Sequence, residues 1–189
     1  MTALAFTDFR PPSRQLRADD ADVLTSIFAD DVNLVSWQRS NDAAIAEYCR
    51  SLRFTMPLKR IVSADSVQQD IGCALPDAPG KEALLADIAL QCQMFACLMD
   101  CQQLGLRLET LSKPMCPKFH TDHLVCRLVC TYLGPATEWL DNTGSTVQAT
   151  PFAVTLLKGS GWEGNEQQAI VHRSPTSDLP RVLLTLDPM

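Results

Sequence analysis

The spacing of apolar positions divides the chain into two textures. From Asp19 to Asp31, Val23, Leu24, Ile27 and Phe28 recur on one helical face and predict a short helix. Val32 to Trp37 alternates, with Val32 and Leu34 on one side, as a strand does. Ser40 or Asn41 is a suitable cap for a helix running to about Leu52, with Ile45, Cys49 and Leu52 as its inner stripe. Pro57, Pro76 and Pro79-Gly80 punctuate the next stretch and leave room for one short helix at Ala64–Ile71. Then comes the longest periodic run. Leu84, Leu85, Ile88, Cys92, Phe95 and Met99 predict a helix from Lys81 to about Leu104, stopped by Gly105. Residues 1–18, with Pro11-Pro12, read as a loose arm.

Beyond Gly105 the period shortens. Leu106–Leu111, Leu124–Leu133, Glu138–Leu140, Phe152–Leu157, Ala169–His172 and Val182–Leu186 read as short strands, and Asp141-Asn142-Thr143-Gly144 as a turn. Such a series predicts a small barrel or sandwich. The fold class is therefore α+β, with helices packed outside a β core. One domain spans 1–189: residues 1–104 are a mainly helical support region and 105–189 are the core.

Composition narrows the class. The chain is 46% apolar and 20% charged, which suits a folded globular protein. Its formal net charge is −6 and it has no basic run, so no nucleic-acid partner is expected. The N-terminus lacks a secretory apolar region, and no apolar run approaches the length of a membrane span. A cytoplasmic protein without a membrane partner is expected. There the eight cysteines, none in a CxxC pair, are reduced thiols that pack as small hydrophobes.

The candidate chemistry lies in KPMCPKFHTD, residues 113–122. It holds His120-x-Asp122, and alternate strand residues point the same way. His172, at the end of the apolar run Ala169–Val171, can complete a set of two imidazoles and one carboxylate. Such a facial set leaves positions open for other ligands and suits non-haem Fe(II). HxD alone is a weak motif; the distant histidine, the following Arg181 and the strand context strengthen it. His123 can replace His120 or be a bystander. Cys116 can be a small buried filler or a fourth ligand, and a thiolate favours zinc.

These residues resemble a known pattern. His120-x-Asp122, His172 and Arg181 are similar to the motif of the 2-oxoglutarate/Fe(II)-dependent dioxygenases of the prolyl-hydroxylase branch. Cys130-Thr-Tyr132-Leu133-Gly134, Leu156-Leu157-Lys158-Gly-Ser160 and Arg181-Val-Leu-Leu-Thr185 resemble neighbouring strands of that family. The resemblance covers about residues 106–187. It implies a double-stranded β-helix of jelly-roll or cupin type. It also implies Fe(II) on His120, Asp122 and His172, and 2-oxoglutarate as cosubstrate. Arg181 would pair with the far carboxylate of 2-oxoglutarate, which a guanidinium fork binds bidentately. Thr185 and Tyr132 would add hydroxyl hydrogen bonds. The activity implied is a hydroxylation-type oxidation of a small-molecule or protein substrate. The alternative is a non-enzymatic protein that holds zinc on the same residues with Cys116. CPKFHTDHLVCRLVCTYLGPATEWL also resembles the signature of an uncharacterised bacterial family, domain of unknown function 1826.

Overall fold

The computed structural model describes residues 13–189; the first part of the expected N-terminal arm lies outside the described residues. Three strands come from the first half of the chain: β1 (Arg14–Ala18), β2 (Val32–Trp37) and β3 (Leu58–Val62). The second half supplies β4 (Leu104–Leu111), β5 (Cys126–Leu133), β6 (Glu138–Leu140), β7 (Thr146–Gln148), β8 (Val154–Lys158), β9 (His172–Arg173) and β10 (Arg181–Pro188). They form a seven-stranded sheet, order β1-β2-β8-β5-β10-β4-β3, and a three-stranded sheet, order β7-β6-β9. Helices α1 (Ala43–Ser51), α2 (Val67–Gly72) and α3 (Lys81–Leu98) follow a 3₁₀ helix over Ala21–Phe28.

The apolar pattern explains the layering. Central strand β10 reads Arg-Val-Leu-Leu-Thr-Leu over its first six residues, and all six are buried. A strand covered on both faces can be apolar on both. Its even-numbered residues Val182, Leu184 and Leu186 join the main core with Leu128, Leu156 and the inner stripes of α1 and α3. Leu183 faces the other way. It packs with Leu34, Val129 and Leu157 against Trp139 and Ile170 of the smaller sheet region. The large sheet is thus the middle layer, with helices on one side and the small sheet on the other.

The region expected to be a mainly helical support, residues 1–104, also contributes strands to the sheet. β1, β2 and β3 extend the large sheet at both edges, and β1 occupies part of the expected loose arm. β2 was legible as a strand, but burial of five of its six residues obscures which face is inner. α3 ends at Leu98, not Leu104, because Asp100 takes a left-handed φ of 47°. The chain then turns directly into β4, where Leu104 pairs with both Val62 and Pro188. The cap of α1 is Asp42, whose carboxylate accepts from the Ile45 N–H at 3.0 Å. Among the described residues, no helix is long and apolar enough to cross a membrane.

Candidate metal centre

Main-chain pairing brings the two distant histidines together. β9 pairs with β6, and beside it His120 and His172 form an isolated antiparallel bridge. The His120 N–H donates to the His172 carbonyl at 3.0 Å, and the reverse bond is 2.9 Å. Residues directly opposed in this way put their side chains on one face. The imidazole centroids are 4.6 Å apart. Asp122 lies two residues on, and one ligand atom from each of the three side chains falls within 4.8 Å of the others. Asp122 Oδ2 is 3.5 Å from His172 Nε2, and Oδ1 is 4.0 Å from His120 Nε2.

The outer nitrogens fix the tautomers. His120 Nδ1 lies 2.9 Å from the Lys118 carbonyl and His172 Nδ1 3.2 Å from the Ile170 carbonyl. A carbonyl only accepts, so each Nδ1 carries the proton and each Nε2 presents a lone pair. Burial pushes the His172 basicity below its ordinary value; Asp122 opposes this and His120 adds to it. Two imidazole lone pairs and a carboxylate then face one point. Such a concentration of donors is repulsive by itself and suits a divalent cation.

The carboxylate is held from behind. Arg127 Nη1 donates to Asp122 Oδ2 at 2.8 Å, and the same guanidinium grips Asp187 through Nε at 2.7 Å and Nη2 at 2.9 Å. Oδ1 is left for a cation. The loop after β8 fixes the backbone there. The Ser160 N–H donates to the Asp122 carbonyl at 2.9 Å, and the Gly161 N–H to the Leu124 carbonyl at 3.1 Å. A Cβ at Gly159 would lie 2.0 Å from the Leu124 oxygen, and one at Gly161 2.5 Å from the His123 oxygen. This segment, which reads as a plain turn in the sequence, is a close backbone clasp.

Arg181 and Thr185 share the inner face of β10 with Leu183. Arg181 is only 2% exposed. Its Nη1 reaches Ser174 Oγ at 3.4 Å, while among the described residues Nε and Nη2 have no hydrogen-bond partner. Burial pushes this guanidinium down to about 10, with Glu138 and Glu109 acting in the opposite direction. It remains charged at neutral pH. A buried cation with one edge of its fork unpaired fits an incoming carboxylate. Thr185 lines the cavity beside His120 and His172.

Two expectations change. Tyr132 lies on the opposite face of the large sheet from this site. Its hydroxyl donates to Asp87 Oδ2 at 2.7 Å and accepts from Gln91 Nε2 at 2.8 Å, so it joins β5 to α3. The parity of β5 puts Arg127 on the site face instead. The converging group consists of His120, Asp122 and His172, without Cys116 or His123. Cys116 is exposed and lines the cavity rim. His123 Nδ1 is engaged with Ser160 Oγ at 3.0 Å. Arg107 and Glu109 were not singled out. Their common parity on β4 is the signal that links them to the site face.

The sheet-rich fold is similar to that of solved dioxygenases. The chain is similar to the dioxygenase for auxin oxidation 1 of Arabidopsis thaliana, solved with 2-oxoglutarate: 9% identity, 94% of this chain and 92% of that one covered, TM-score 0.58. It is also similar to the dioxygenase for auxin oxidation of rice: 14% identity, 88% and 76% covered, TM-score 0.53. At such identities the likeness is one of fold. Residues 18–187 match the family described as protein of unknown function (DUF1826), and the chain belongs to that family. Comparison with curated proteins by sequence finds no match.

Proposed function

We propose that this protein is a 2-oxoglutarate/Fe(II)-dependent oxygenase built on a double-stranded β-helix. The observation that carries the reading is Arg181: a buried guanidinium with unpartnered Nε and Nη2 on the face shared with Thr185. A carboxylate is the group it lacks. His120, Asp122 and His172 would hold Fe(II), and Arg181 would hold the far carboxylate of 2-oxoglutarate. Bound Fe(II) with 2-oxoglutarate and dioxygen supplies the oxidising power for attack on a substrate C–H bond. The protein's own residues position and shield. The Nδ1 bonds orient both imidazoles with Nε2 toward the centre, and Arg127 orients the carboxylate.

The donor set favours iron over zinc, because the thiol of Cys116 is outside the converging group. All eight cysteines are free, which accords with a reducing, cytoplasmic setting. The cavity is about 70 Å³.

Anaerobic addition of Fe(II) and 2-oxoglutarate should produce a visible charge-transfer band. His172→Ala should abolish it. Arg181→Gln should retain metal binding but weaken 2-oxoglutarate binding about 10- to 100-fold, the scale of a lost charge-assisted hydrogen bond. Absence of the band in the native protein, or an unchanged band in His172→Ala, overturns the reading.

A further inference from the structure

Three arginines line the cavity beside the candidate metal cluster, although the chain is acidic overall. Arg107, Arg127 and Arg173 all line it, and no lining residue is an Asp or Glu. The whole chain carries 16 Lys and Arg against 22 Asp and Glu. Two of the three arginines are already neutralised. Arg127 is paired with Asp122 and Asp187, and Arg173 with Glu138 at 2.8 Å.

Arg107 has no carboxylate partner among the described residues. Its side-chain hydrogen bond goes to Met115 Sδ at 3.9 Å. A thioether is a weak acceptor and is readily displaced. Position places the free charge at the chemistry. Arg107 is opposite Thr185 in the β4–β10 ladder, and both side chains line the cavity. Lys59, exposed on β3, is opposite Arg107 and continues the positive row. Arg181 is four residues from Thr185 along β10, about 13 Å at strand rise. Arg107 and Arg181 therefore stand at well-separated positions on this face.

We propose that the substrate of this centre is a small organic oxyanion, a carboxylate or phosphate monoester, and that Arg107 binds its charged group. This rests on the oxygenase reading above. The anion replaces Met115 on the guanidinium, and the carbon skeleton lies toward His120 and His172 along Val129 and Leu183. Arg107 is a specificity-determining residue: it selects charge, while Arg181 keeps the cosubstrate.

The test uses full-length protein loaded anaerobically with Fe(II) and 2-oxoglutarate. Benzoate, phenyl phosphate and the neutral isostere benzamide are titrated separately, with calorimetry and the charge-transfer band as readouts. Benzoate or phenyl phosphate should bind and perturb the band, and benzamide should not; the stronger anion identifies the oxyanion class. Arg107→Gln should weaken anion binding about 10- to 100-fold, Arg107→Lys should restore part of it, and neither should alter 2-oxoglutarate affinity. Equal binding of benzamide, binding of neither anion, indifference to Arg107→Gln, or an equal loss of 2-oxoglutarate affinity overturns the proposal. Failure of the underlying reading is visible separately, because the band then does not form in the native protein before any probe is added, and the substrate proposal falls with it.

Discussion

Arg127 is the residue on which the geometry of the cluster turns. It occupies Asp122 Oδ2 and is itself held bidentately by Asp187. Removing the anchor should let the carboxylate rotate. Arg127→Lys and Asp187→Asn are expected to weaken metal binding about 10- to 100-fold, the usual range for groups that orient a ligand. Competitive Co(II) titration measures this, and an unchanged circular-dichroism spectrum separates it from unfolding. The three converging residues were legible in sequence because HxD and a distant strand-end histidine constrain one another. Tyr132 was misplaced for a reason that lies in its strand. β5 is apolar on both faces, so alternation says which residues share a face but not which face meets the site.

At the scale of elements, the segment after β8 has no side chain that advertises its role. Gly159 and Gly161 lie against the carbonyls of Leu124 and His123, where a methyl group cannot fit. Gly159→Ala should cost about 1–3 kcal/mol through overpacking. It should also displace Asp122, whose carbonyl is bound by Ser160. Denaturant unfolding should show the loss, and metal affinity should fall with it. A variant with native stability and native affinity would show that the clasp is dispensable. The strands β1 and β3 were hidden for a related reason. They are short, and their pairing partners come from remote parts of the chain, so local periodicity carries little of the information. The helices α1 and α3 were legible because their inner stripes recur at the helical period.

For the molecule as a whole, the contact between the helical layer and the large sheet includes a polar network. Arg39 pairs with Asp87 at 2.5 Å, and Asp87 and Gln91 meet the Tyr132 hydroxyl. Burial above all pushes Tyr132 well above its ordinary 10, and Tyr48 up to about 12. These are the chain's two tyrosines. A raised folded value means that the stabilisation is complete below the unfolded value of 10 and is lost as pH rises beyond it. Tyrosinate absorbance should therefore stay flat through pH 10 and rise together with unfolding at higher pH. Independent ionisation at the ordinary value would contradict the burial of both hydroxyls. The α+β class was readable from periodicity. The three-layer order was not, because it depends on pairings between residues as distant as Leu34 and Leu157.

The bridge between His120 and His172 has a consequence for how such a site can change over evolutionary time. Its two reciprocal bonds are made by peptide groups, which every residue except proline possesses. Register is therefore encoded separately from reactivity. Either imidazole can be exchanged while the peptide bonds still hold the two segments in alignment. A lineage can lose or retune the chemistry and keep the scaffold, and inactive descendants should still display the same pair of opposed positions.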